Sequence, residues 1–208
     1  MAKISSATHN KLRQQLAQEA ARLIHDHGIA DFRLAKIKAA ERLNCGRAIR
    51  LPSNREIEQA IAAHNRIFAG DSHEKRIALM RESAVAMMEK LQRFCPFLVG
   101  EVLSGHVTDH SLIRLHVFSD APESVTAELE QNAVNYSSIA SRQRIRRDQL
   151  TDLPGLRIDD NDFPVVITVF PERMKAHPPI CPITGRPMRR AQLTTVISMA
   201  RDGEIYLR

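Results

Sequence analysis

Leu98-Val-Gly-Glu-Val-Leu-Ser-Gly105, followed by His106-Val-Thr-Asp-His-Ser111 and then Leu112-Ile-Arg-Leu-His-Val-Phe118, is the stretch on which the reading of this chain turns. Two runs rich in branched apolar residues are separated by glycines and a polar linker. This predicts a strand over 98–103, a turn, and a second strand over 112–118. Alternation along the second strand sends Ile113, Leu115 and Val117 toward a core and leaves Leu112, Arg114, His116 and Phe118 on the other face. Phe163-Pro-Val-Val-Ile-Thr-Val-Phe170 is the clearest further strand. Between them, 122–132 reads as a helix with Val125 and Leu129 inward, and 135–145 as a strand leading into an Arg-rich turn. Pro171, Pro178, Pro179, Pro182 and Pro187 mark a long irregular connection. Beyond it, 188–201 reads as a closing helix, although Thr194-Thr-Val-Ile197 is equally strand-like.

Upstream of Pro96 the apolar period changes to that of helices. Leu12, Leu16, Ala20, Leu23 and Ile24 form one helix that Gly28 stops. A second opens at Asp31 as N-cap and carries Leu34, Ala35, Ala39 and Leu43. Ser53-Asn-Arg-Glu56 is a capping box opening a third, with Ile57, Ile61, His64, Ile67 and Phe68 as its stripe. A fourth begins near Asp71 and aligns Ile77, Met80, Ala84, Met87, Met88, Leu91 and Phe94 before Pro96 ends it. The reading is therefore α+β, a helical region over 1–95 packed on a small mixed sheet with flanking helices over 96–208.

With 208 residues, 43% of them hydrophobic, the chain can bury a substantial core. Lys and Arg outnumber Asp and Glu by 30 to 24, a formal charge of +6 and a pI near 9.6 that favour phosphate-bearing partners. Three cysteines without a CxxC pair suggest neither a disulfide framework nor a cysteine zinc site, and point to a reducing cytoplasm. No apolar signal core or membrane-length stretch is expected.

The spacing of the opening stretch resembles the nucleotidyltransferase signature. There a strand ends in Gly-Ser or Gly-Gly, and about ten residues on a second strand carries Asp-x-Asp or Asp-x-Glu. The resemblance extends through Ala20–Ile24, Asp31–Lys36, Ala39–Leu43, Leu51–Ile57, Phe68, Leu98–Gly100, Leu103–Gly105, His110–Ile113 and Asp120 to a proteobacterial family of nucleotidyltransferase-like proteins, some labelled muramate-alanine ligase. The ligase label does not suit this chain, which has no Gly-rich Gly-Lys-Thr loop for ATP. The resemblance implies a nucleotidyltransferase-like sheet whose metal-binding acids fall on Leu112 and Arg114. Neither side chain offers magnesium the hard oxygen it needs. A third acid would come from 163–170, where Thr168 stands, and Glu101 occupies a phosphate-cradling turn. The implied protein is non-catalytic, without a metal, and binds a nucleotide, RNA or a regulatory partner. The alternatives are an active transferase whose magnesium ligands have moved to Asp159, Asp160 or Asp162, and a helical interaction module that docks a protein through Ile57, Ile61 and His64.

The resulting phosphate-site candidates are Gly100, Glu101, Ser104, Gly105, Ser111, Arg114 and His116. Arg114 either holds an anion with its fork or pairs with Glu101. Arg142, Arg144, Arg146 and Arg147 form the densest basic run. With Arg189 and Arg190 in a second run beside Arg186, they are nucleic-acid candidates, with Tyr136 near enough to stack on a base. A solvated surface is the competing reading. His106, Asp109, His110 and His116 admit a transition-metal reading, against which stand ordinary loop histidines. No nucleophile motif appears, and Cys95 and Cys181 have no catalytic neighbours in sequence.

Overall fold

The computed structural model describes residues 6–29, 31–45, 50–68, 70–146, 148–159 and 162–202, and divides into two compact units. The first comprises residues 1–70 with 108–110, the second 71–107 with 111–208. The division falls at Gly70 rather than at Pro96, so the fourth predicted helix belongs with the sheet.

In the first unit, α1 (Ser6–His27), α2 (Phe32–Arg42) and α3 (Asn54–Phe68) enclose Leu16, Ala17, Ala20, Ala21, Leu23, Ala35, Ala39, Ile57 and Ile61. The alanines on α1 and α2 allow close helix approach. This is why Leu34 and Leu43, expected in the core, are 44% and 38% exposed while Ala35 and Ala39 are fully buried. Ile57 and Ile61 are likewise buried in their own unit and present no docking stripe to a partner. Ile67 and Phe68 lie outside the residues whose side chains are described. Asp31 caps α2, its Oδ1 accepting from Arg33 N at 2.7 Å and Leu34 N at 3.3 Å. The capping box forms as predicted: Ser53 N donates to Glu56 Oε2 at 2.7 Å and Glu56 N to Ser53 Oγ at 3.2 Å. The same Oε2 accepts from Arg13 Nη2 at 2.7 Å, tying α1 to the start of α3.

In the second unit, a mixed sheet of six strands runs in the order β3-β4-β5-β2-β1-β6. The strands are β1 (Phe97–Val99), β2 (Ile113–Phe118), β3 (Ser137–Arg146), β4 (Gln149–Ile158), β5 (Val165–Phe170) and β6 (Ala191–Gln192). Only β2 and β5 are parallel, with α6 (Pro122–Gln131) and the β3–β4 hairpin inserted between them in sequence. One face of the sheet is closed by α4 (Gly70–Lys90), α6 and α7 (Leu193–Asp202). Met80, Met88, Leu91, Val125, Leu129 and Val196 pack there on Leu98, Ile113, Leu115, Val165 and Ile167. Arg81 of α4, 1% exposed, donates through Nε to Val102 O and through Nη1 to Met199 O at 3.2 Å. It thereby ties the polar ends of two other segments to α4. No helix among the described residues is long and apolar enough to cross a membrane.

Three expectations change. The strand expected over 98–103 stops at Val99, because Gly100 turns the chain at φ 76° and ψ −144° into the short helix α5 (Glu101–Ser104), where Val102 and Leu103 are buried. The Arg-rich segment is strand rather than turn, since β3 continues to Arg146. Its partner β4 carries Pro154 and Gly155, residues that disguise a strand in sequence. β5 pairs with β4 only over Gly155–Ile158, so Pro154 stands where β4 has β3 as its single neighbour, an edge-like position that suits proline. The closing helix begins at Leu193, after β6.

The Arg13 guanidinium, followed by the Ser53 hydroxyl and amide, lowers the Glu56 pKa from 4.5 to about 2. A depressed carboxylate pKa stabilises the fold above the unfolded value, and that contribution is lost as pH falls through the folded one. Glu56→Ala is therefore expected to cost about 1–2 kcal/mol at neutral pH. In urea titrations, the gap to wild type should close between pH 4.5 and about 2.

Candidate functional site

The register fixes which side chains share the second face of the sheet. Val99, Arg114, Val166, Arg157 and Ser137 form one row across β1, β2, β5, β4 and β3. The next row is Phe97, His116, Thr168, Gly155 and Ile139, and beyond it lie Phe118 and Phe170. Arg114 and His116 therefore sit on the face the alternation predicted, about 7 Å apart along β2. That face is not an open strand surface, however. His116 and Phe118 are each only 3% exposed. Phe118, Leu153 and Phe170 make a small second core with Phe97, Ile145 and Met174, roofed by the chain that follows β5. The roof is pinned where Ile180 N donates to Arg144 O at 2.7 Å and where Arg190 lies over Phe97, Phe118 and Phe170, 5.1–5.8 Å from the ring centroids.

A polar line crosses this face. Gln143 Nε2 donates to Ser141 Oγ at 3.0 Å, and Ser141 and Thr168 share a 2.7 Å hydroxyl contact that reaches across β4. The reach is possible because Gly155, which lies between them, has no side chain. A Cβ there would stand 3.0 Å from Ile139 Cγ1 and 3.1 Å from Ser141 Cβ. Thr168 is level with His116 on the neighbouring strand. Burial, then the Arg190 and Arg114 charges, push His116 down to about 3, so the imidazole is neutral at ordinary pH. Burial also lowers Arg190, to about 10, leaving its guanidinium charged.

The structure thus joins Arg114 and His116 with Arg190, residues the sequence had assigned to separate candidate groups, and adds Arg157, whose isolated position in the chain carried no signal. Gly100 is beside this group, with room for a Cβ only at 3.4 Å from Arg114 Cδ. Glu101, Ser104 and Gly105 are spent on α5, where Ser104 Oγ bonds to Glu101 O and Gly105 is the left-handed cap. Ser111 is buried just before β2. Among the described residues, no ion pair joins Arg114 to Glu101. Asp159 is held by Arg157 Nε at 2.8 Å; Asp160 lies outside the described residues.

The first basic run is not brought to Arg114 as a group. Arg142 and Arg144 point to the opposite side of the sheet from Ser141 and Gln143, and a bulge between Arg144 and Arg146 reverses the ladder at the hairpin tip. Arg142 is occupied by Asp152 through Nε at 2.8 Å and Nη2 at 3.1 Å. Arg189 is exposed, and Arg147 lies outside the described residues. The Tyr136 hydroxyl donates to Glu130 Oε1 at 2.8 Å. His110 packs against Gly28 in the first unit, whereas His116 is under the sheet of the second. Cys95 does have a neighbour, Lys175, whose Nζ is 2.9 Å from its Sγ across 80 residues of sequence. The first unit carries a groove of about 790 Å³ along α1 and α3. It is lined by the Arg13–Glu56 and Arg22–Glu19 pairs among glutamines and alanines, so these charges already satisfy each other.

Because His116 is held neutral while an unfolded histidine titrates near 6.5, the unfolded state takes up the proton first and stability falls as pH drops from 6.5 toward 3. Replacing it by Phe should flatten this part of a stability–pH curve, and an unchanged slope would contradict the burial argument. Gly155→Val should cost about 1–3 kcal/mol in chemical denaturation through the β3 clash. Searches against protein-family models, curated proteins and solved structures find no match to this chain.

Proposed function

We propose that this is a nucleotidyltransferase-like protein that binds the phosphates of a nucleotide or RNA on the second face of its sheet without transferring them. The observation carrying this reading is the row Arg114–Val166–Arg157, which sets two guanidiniums on one face with an apolar residue between, Arg157 giving its Nε to Asp159 and keeping its terminal nitrogens for a ligand. In the related signature, carboxylates on the second strand hold metal; here an arginine fork meets the phosphate directly. The order of elements supports the comparison. A strand ending in a glycine turn, the strand about ten residues further on, and the later strand expected to supply the third acid lie side by side as β1, β2 and β5. The engagement of Asp159 by Arg157 weighs against relocated magnesium ligands.

Fluorescence anisotropy with labelled ATP and a short single-stranded RNA, across a salt series, tests the reading. Arg114→Ala and Arg157→Ala are each expected to weaken binding about tenfold. Each should also reduce the slope of log affinity against log salt for RNA by about 0.7. Unchanged affinity in both variants would refute the site. Magnesium-dependent release of pyrophosphate that disappears in Asp159→Asn or Asp162→Asn would replace it with an active transferase.

A further inference from the structure

On the same face but at the far end from Arg157, polar atoms of one buried and one half-buried side chain are enclosed with bonding capacity to spare. His116 is 3% exposed, and its Nδ1 is buried without a hydrogen-bond partner among the described residues. Arg190 donates through Nη1 to Lys175 O at 3.1 Å, but its Nε and Nη2 are buried and have no such partner. Both side chains pack on one ring. The imidazole lies 4.6 Å from the Phe170 centroid and the guanidinium carbon 5.4 Å from it.

The edge left unused is chemically specific. Nε and Nη2 point the same way and form the fork by which arginine grips two oxygens at once. Arg142 of this protein uses that edge on Asp152, at 2.8 and 3.1 Å. In Arg190, no carboxylate of the described residues fills the fork, and the three phenyl rings below offer only their faces. Keeping the Nε and Nη2 edge of a half-buried guanidinium out of water without a counter-charge is costly, and cation–π contact at 5.1–5.8 Å supplies no hydrogen-bond acceptor for it. The adjacent imidazole adds a neutral N–H that can donate to the same ligand without repelling it.

We propose that Arg190, through its Nε/Nη2 fork, and His116 form an oxoanion subsite that takes a phosphate or carboxylate group. The subsite shares its sheet face with the nucleotide-binding row but does not depend on Arg157. One ligand could therefore use both, or a small anion could occupy this end alone. Lys175 and Arg190 meet at the roof, so filling the fork would also fasten the 171–190 segment to the sheet.

The test is a titration of the full chain with inorganic phosphate, and separately with acetate, at constant ionic strength. It is followed by calorimetry and by the imidazole ¹⁵N resonances of His116. Saturable movement of those resonances is expected, with affinity at least tenfold weaker in Arg190→Lys, which keeps the charge but loses the fork. Arg157→Ala should leave this response intact while weakening ATP and RNA binding. A response to phosphate alone or to acetate alone supports the subsite and identifies which group it takes. Wild-type His116 resonances that stay fixed in both titrations up to about 10 mM would overturn the proposal. So would equal affinity in Arg190→Lys, whereas failure of only the Arg114 and Arg157 tests would remove the nucleotide reading and leave this one standing.

Discussion

The parallel pairing of β2 with β5 is the constraint from which the second unit is built. Parallel strands need cover on both faces, because their connection runs through a helix and their side chains alternate between two buried layers. Here the first layer is supplied by α4, α6 and α7. The second has no α-helix among the described residues; the chain after β5, one 3-10 turn at Glu172–Met174 followed by proline-marked irregular backbone, folds back to provide it. An irregular roof leaves polar backbone to satisfy, and it is met by single anchors such as Ile180 N to Arg144 O and Arg190 Nη1 to Lys175 O.

The chemistry of the molecule is distributed unequally between these two faces. Among the described residues, the charge brought into the core on the helix-covered face is that of Arg81, and it is turned to backbone carbonyls. On the other face Arg114, His116, Thr168, Ser141, Arg157 and Arg190 lie within three successive rows of the sheet or directly above them. Positive charge there has little acidic counterpart apart from Asp159. The lowered proton affinity of His116 follows first from burial and then from this excess of charge, and is better understood as their consequence than as a tuned acid–base group.

The two arginine clusters show how linear density misleads. Arg142, Arg144 and Arg146 look like one patch in sequence, yet strand alternation and a bulge distribute them, and one is neutralised by Asp152 across the hairpin. Arg157 looks incidental and stands level with Arg114 because β5 separates their strands in perfect register. Charge clusters read along a chain are reliable when they lie on a helix turn or loop, and lose meaning once the segment becomes a strand of unknown register.

The sequence by itself determined the α+β composition, the caps at Asp31 and Ser53–Glu56, the core stripe of α4, the strands β2 and β5, and the face on which Arg114 and His116 stand. Each of these depends on local period, capping or alternation, which are properties of neighbouring residues. Tertiary structure alone decided that Gly100 would end β1, that Pro154 and Gly155 would be tolerated in β4, and that alanines would displace leucines from the contact of α1 with α2. It alone brought Arg157 and Arg190 to the face of Arg114. Those outcomes depend on which strand has a neighbour on which side and on how closely two backbones approach, quantities set by contacts between separate segments of the chain.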